Sequence, residues 1–233
     1  MPNDQVTNRG ESAPVRSELD SFLQEIKGLS STSAGTRGRL IFALDATYSR
    51  QPTWDTACTL QADMFREVAS VGGLDMQLAY YRGISECRAS RWYSQPEQLA
   101  KTMSRISCHA GETQIEKILL HAQKETKLLK VSALVFVGDA CEEEDDELIP
   151  AANELGQAGV PVFMFQEGND REVEHTFREI TRVTHGAYCR FDNGSAKQLG
   201  ELLKAVAVYA VGGKEALLTR GDAGAVKLLG QLK

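Results

Sequence analysis

The residues with chemical potential sit directly after apolar runs. Asp45, Thr47 and Ser49 follow Leu40-Ile41-Phe42-Ala43-Leu44, and Gly138-Asp139 follows the run at 131–137. A third polar turn, Gly111-Glu112-Thr113, opens the stretch leading into the second run. Asp45 and Asp139 supply carboxylates, and Thr47, Ser49 and Thr113 supply hydroxyls. All are hard oxygen donors, and no His or Cys is required. Such donors suit Mg²⁺ or Mn²⁺ rather than Zn²⁺. In an extended chain alternate side chains point the same way. Those at 45, 47 and 49 can therefore converge while Ala46 and Tyr48 point elsewhere. Mg²⁺ takes about six ligands and keeps several waters, which leaves a position for an outside group.

The elements around these residues alternate between strand and helix. The run at 40–44 reads as a strand buried on both faces. A helical stretch follows, with Trp54, Ala57, Cys58, Met64, Phe65, Val68 and Val71 on one face, and Gly72-Gly73 ends it. Residues 74–81 read as a strand, Arg82-Gly83 turns the chain, and 84–87 return antiparallel. Helices are expected after Pro96, with Leu99 and Met103 inward, and over 113–129. The run at 131–137 is the second strongly buried strand. Then come helix 145–158, strand 160–165, helix 170–183, strand 187–191 and helix 196–211. The pattern argues for a doubly wound α/β domain over 38–211. Its six-stranded sheet is mostly parallel, with one antiparallel edge strand and helices on both faces. Ligands bind beyond the carboxyl ends of such strands, where the strand order reverses, so all three polar segments can meet there. Residues 1–37 form a polar arm with a short amphipathic helix over 17–29. Gly212-Gly213 begins a tail, 212–233, whose last stretch, 225–232, is again amphipathic.

At these residues the chain resembles the metal-ion-dependent adhesion site (MIDAS) of von Willebrand factor A-type (VWA) domains. That motif is D-x-S-x-S after the first strand, a Thr in a later loop and an Asp after the fourth strand. Asp45, Thr47 and Ser49 match the first part, with Thr in the middle position keeping the hydroxyl. Thr113 matches the second part and Asp139 the third, although Gly138 stands where the family often has Thr. The resemblance covers about 38–211. It implies that the hydroxyls bind Mg²⁺ or Mn²⁺ directly and the two Asp residues act directly or through water. It also implies that the open position takes a carboxylate from a protein partner. Most such domains bind proteins rather than catalyse, and intracellular members often work in complexes, some with AAA+ ATPases. The expected protein is thus a metal-dependent adaptor and not an enzyme.

Composition agrees with a folded, cytoplasmic protein. The chain has 233 residues, 42% hydrophobic and 25% charged, with a formal net charge of -6; these values fit a globular domain. No basic patch stands out, which argues against nucleic acid, and no apolar run is long enough to span a membrane. The five cysteines are odd in number and none pairs at C-x-x-C spacing, so they read as reduced thiols. A zinc site from Cys87, Cys108-His109 and Cys141 lacks the spacing. His121, His175 and His185 read as structural, Trp54 and Met64 as core. Tyr48 faces either solvent beside the metal or the core.

The acids at 142–147 read as a solvated loop and helix start, or as an acidic rim that selects a basic partner. The competing activity is a haloacid-dehalogenase-like phosphohydrolase, which also places an Asp after its first strand and a Gly-Asp pair later. That chemistry needs a second acid at position 47, and Thr47 cannot serve as general acid or base. Only Lys127 and Lys130 are candidates to balance a phosphate. A metal-free scaffold is the third alternative.

Overall fold

Side chains with no polar interruption make the centre of the sheet. In strand β1 (Gly38–Asp45) every residue after Gly38 is buried, and in β4 (Ala133–Gly138) all are. The two strands pair in parallel, from Leu40 opposite Ala133 to Leu44 opposite Val137. β2 (Leu74–Arg82) runs parallel on the other side of β1, and β3 (Glu86–Ala89) pairs antiparallel with β2. β5 (Val162–Glu167) and β6 (Ala187–Phe191) extend the sheet in parallel beyond β4. The order is β3-β2-β1-β4-β5-β6. This is the mostly parallel six-stranded sheet, with one antiparallel edge strand, that the alternation of elements leads one to expect.

The computed structural model describes residues 37–50, 73–191 and 196–232. The helices expected over 17–29 and through Trp54 to Val71 lie outside the described residues. Six α-helices are described: α1 (Pro96–Met103), α2 (Ile115–Leu128), α3 (Asp145–Gln157), α4 (Arg171–Thr184), α5 (Ala196–Arg220) and α6 (Ala223–Leu229). Period-two alternation sends β1 side chains to two cores. Leu40, Phe42 and Leu44 pack with Val135, Val137, Leu99 and the α5 residues Leu202, Leu203 and Val206. Ile41 and Ala43 pack with Leu134, Phe136 and the inward residues of α2, α3 and α4. Phe136 stacks on Tyr81 at 6.1 Å between ring centroids and meets Phe177 edge-on at 5.6 Å. Each such buried side chain contributes about 1.5–3 kcal/mol.

Several boundaries shift by one or two residues from the sequence expectation, as in the strand expected at 160–165, which is Val162–Glu167, and two differences have a clear physical cause. β3 starts at Glu86 rather than Ile84, because Gly83, at φ 62°, opens a turn over 83–85. Ile84 sits in that turn, 78% exposed. The helix placed at 196–211 continues past Gly212 to Arg220, kinked at Gly213. Beyond the kink, Leu217, Ala225, Leu228 and Leu232 are buried in the same core as Leu202 and Leu203. Apolar side chains that find a core hold a segment that glycines alone would release. Asp222 caps α6 by accepting a hydrogen bond from Ala225 N at 2.8 Å. Among the described residues no helix is long and apolar enough to cross a membrane.

Candidate functional site

The chain leaves β1 toward β2 on one side, while β4 lies on the other, so a crevice opens where the strand order reverses. Asp45 ends β1 and Asp139 follows β4 at this crevice. Gly138 permits their close approach. A Cβ there would come within 2.7 Å of the Phe136 ring and 3.4 Å of Asp45 Cβ. Phe136 is itself packed between Tyr81 and Phe177. The glycine in place of the family's frequent Thr is therefore a packing requirement.

The segment after β1 is fixed through its backbone. Ala46 N donates to Tyr81 O at 3.0 Å, and His109 N donates to Ala46 O at 3.0 Å. The Asp45 carboxylate accepts from Thr47 N at 2.7 Å. That bond bends the chain, and residues Tyr48–Arg50 form a 3₁₀ turn closed by Arg50 N donating to Thr47 O. The segment is thus not extended as expected. The hydroxyls still meet, with Thr47 Oγ1 and Ser49 Oγ 3.1 Å apart. Tyr48 turns outward and is 66% exposed, which resolves its two alternatives in favour of solvent.

Thr113 is buried and tied to the loop after Asp139 by reciprocal bonds. Thr113 N donates to Glu142 Oε2 at 2.6 Å, and Glu142 N donates to Thr113 Oγ1 at 2.9 Å. Glu143 accepts from Ile115 N and Glu116 N, each at 2.8 Å. Two of the six successive acids therefore cap the start of α2, whose own N-cap residue Gln114 makes no side-chain cap bond. Asp145, Asp146 and Glu147 form the first turn of α3, where the helix dipole favours negative charge. Gly111 lets this loop approach the β2–β3 turn, since a Cβ would lie 2.1 Å from Gly83 O. Asp45, Thr47 and Ser49 are brought into one hydrogen-bonded group. Asp139 acts on it through its charge. Thr113 is joined to the loop after Asp139 rather than to that group.

Asp45 is fully buried, and its Oδ2 and Asp139 Oδ1 are buried oxygens that make no hydrogen bond of standard geometry, although the Tyr81 hydroxyl lies near enough to the Asp45 carboxyl to oppose the rise in its pKa. Burial pushes the Asp45 carboxyl up to about 6; the bonds from Thr47 oppose this and the Asp139 charge adds to it. Burial, followed by the Asp45 charge, pushes the neighbouring Tyr81 phenol well above its usual range. Sequence reasoning missed a buried cation here. Arg50, 1% exposed, pairs with Glu167 at the end of β5. Burial lowers its guanidinium from the usual range, while the Asp139 and Asp45 charges hold it up. The available signal was a basic residue directly after the last hydroxyl, with an acid ending a later strand.

Two orphaned carboxylate oxygens beside paired hydroxyls fit a hard divalent cation. Among the described residues no group of three or more His, Cys, Asp or Glu could hold a metal. The described cysteines form no soft-metal alternative. Burial pushes the Cys108 thiol up to about 11 and the Cys141 thiol up to about 12.

No family model and no curated protein matches this chain. Solved structures do. The pilus adhesin SpaC from Lactobacillus rhamnosus GG aligns with a TM-score of 0.61 at 9% identity, over 76% of this chain and 31% of the adhesin. The SpRpn10 VWA domain aligns at 0.56 and 10% identity, over 67% of this chain and 89% of that domain. The human COPII-coat protein Sec24c aligns at 0.55 and 10% identity, over 75% of this chain and 32% of that one. The chain thus spans about a third of the adhesin and of the coat protein. TM-scores of 0.55 to 0.61 with so little shared sequence are a likeness of fold, and the described domain has a von Willebrand factor A-like fold.

Proposed function

We propose that the protein is a metal-dependent protein-binding module, with Asp45, Thr47, Ser49, Thr113 and Asp139 holding Mg²⁺ or Mn²⁺. The observation that carries this is the pair of buried, unpartnered carboxylate oxygens on Asp45 and Asp139. When bound, the metal supplies a Lewis-acidic position for a carboxylate of the partner. The protein's own residues do the rest. Thr47 and Ser49 present hydroxyls, the Asp45–Thr47 turn fixes their spacing, and Tyr48 stands exposed beside them as a contact for the partner. The neighbours Rpn10 and Sec24c support this reading as a VWA domain and a coat protein.

We read the protein as an adaptor rather than an enzyme, because Thr47 occupies the position where phosphohydrolysis needs an acid. Association with an ATPase-containing complex and a cytoplasmic setting belong to the same proposal. The four described cysteines are all free, which suits a reducing compartment. Titration calorimetry tests the site. One Mg²⁺ or Mn²⁺ should bind, with loss in Asp45→Ala and in Asp139→Ala. Unchanged binding in both variants, or phosphatase turnover abolished by Asp45→Asn, would overturn the proposal.

A further inference from the structure

Helix α2 presents an outward face that its sequence conceals. Over Ile115–Leu128 the acids Glu116 and Glu125 nearly balance Lys117, Lys124 and Lys127. In the fold the acids turn aside and are half-buried, and Glu125 accepts from Arg39 and from Trp92 Nε1 at 2.9 and 2.8 Å. The exposed residues of the helix are Lys117, Leu120, Lys124, Lys127 and Leu128, all lysine or leucine. They recur at three- and four-residue spacing, so they form one stripe. Leu120 is 45% and Leu128 74% exposed. Among the described residues none of the three lysines is in an ion pair; Lys117 donates to the neutral Gln114 side chain. This strip stands on a chain of net charge -6.

A cleft of about 340 Å³ lies between the stripe and the edge of the sheet. Its floor is Ala79, Cys87 and Ala89, and Lys117, Leu120, Lys124 and Arg88 stand around it. The floor exists because β2 and β3 carry small side chains here, leaving the sheet face open beyond α2. Arg88 shares the single carboxylate of Glu86 with Arg82, at 2.7 and 3.1 Å, so the rim of the cleft adds positive charge to that of the helix.

We propose that this cleft and the outward face of α2 dock an acidic amphipathic segment of a protein partner. Apolar side chains of the segment enter the cleft and cover Leu120 and Leu128, while its carboxylates meet Lys117, Lys124 and Lys127. Concavity favours a protein segment over a bilayer, which meets convex apolar faces with larger exposed area. A nucleic acid would offer phosphates to the lysines but no aliphatic side chains to cover the exposed Leu120 and Leu128. The surface is independent of the metal site, and its test runs in EDTA so that the two proposals fail separately.

The probe is a fluorescein-labelled 18-residue peptide of Glu and Leu in helical spacing, titrated with the full chain and followed by anisotropy. Lys117→Glu, Lys124→Glu and Lys127→Glu together should weaken binding at least tenfold, and Leu120→Ser at least threefold. Lys101→Glu on α1 should leave it unchanged. Salt raised from about 50 to 300 mM should weaken binding to the unaltered protein at least fivefold, a readout that needs no folded variant. Binding insensitive to salt, or equal in the triple variant and the Lys101 control, overturns the proposal. So does preferential binding to phosphatidylserine vesicles or to single-stranded RNA over the peptide.

Discussion

Replacing Glu143 with Ala should destabilise the fold more than any ordinary surface change. The first turn of a helix leaves its N–H groups without intrahelical partners. In α2 the Glu143 carboxylate serves two of them, Ile115 N and Glu116 N at 2.8 Å, and Gln114 offers no side-chain cap. Hydrogen bonds to a charged group contribute about 1.5–3 kcal/mol, and loss of a cap costs about 0.5–2 kcal/mol. Glu143 is half-buried, so the lower part of the combined range applies. The expected loss is about 2 kcal/mol for Glu143→Ala. For Glu143→Gln, which keeps one acceptor oxygen without the charge, it is about 1 kcal/mol. For a domain of this size about 2 kcal/mol lowers Tm by roughly 4–8 °C. Urea unfolding followed by circular dichroism measures it, with an unchanged m-value showing that stability alone moved. Glu144→Ala is the internal comparison. Its side chain makes no cap bond at the start of α3, and its effect should stay within about 0.5 kcal/mol. If Glu143→Ala is equally silent, the acids at 142–147 are only a solvated run and the cap is refuted.

Removing the buried cation should also be costly. Arg50→Ala removes the guanidinium that pairs with Glu167 and the positive charge that interacts with Asp139 and Asp45, for an expected loss of about 3–5 kcal/mol in thermal or urea melts. A loss below about 1 kcal/mol would show that the pair is not structural. Acid should expose a second network. Burial opposes ionisation of Glu125, but the Trp92 bond, His121 and Arg39 outweigh it, and its carboxyl lies below the usual range. A depressed carboxylate contributes stability above its unfolded pKa and loses it as pH falls through the lower folded value. Stability followed by tryptophan fluorescence should therefore decline below about pH 4.3. Glu125→Gln should flatten that acid limb, and an unchanged limb would remove Glu125 as its source.

The sequence by itself determined the layers and the site's position. Val135 to Val137 and Leu40 to Leu44 carry no polar break, so they must be central strands buried on both faces, and the first polar residues after them must gather at one edge. Chain order and hydrophobic period suffice for that, because both are local properties. Other features depended on partners remote in sequence. Arg50 has no partner close by in sequence, and it is β5 that brings Glu167 beside it. Glu142 and Glu143 read as solvated acids until the loop after β4 meets the start of α2. Gly213 reads as a helix end until Leu217 and Leu228 find the core beneath α5. The charges of α2 cancel in the sequence, and they separate only when Arg39 and Trp92 draw Glu125 inward and leave the lysines facing water. Burial, charge pairing and the covering of a face are relations between distant segments, and only the packed sheet and helices fix which segments meet.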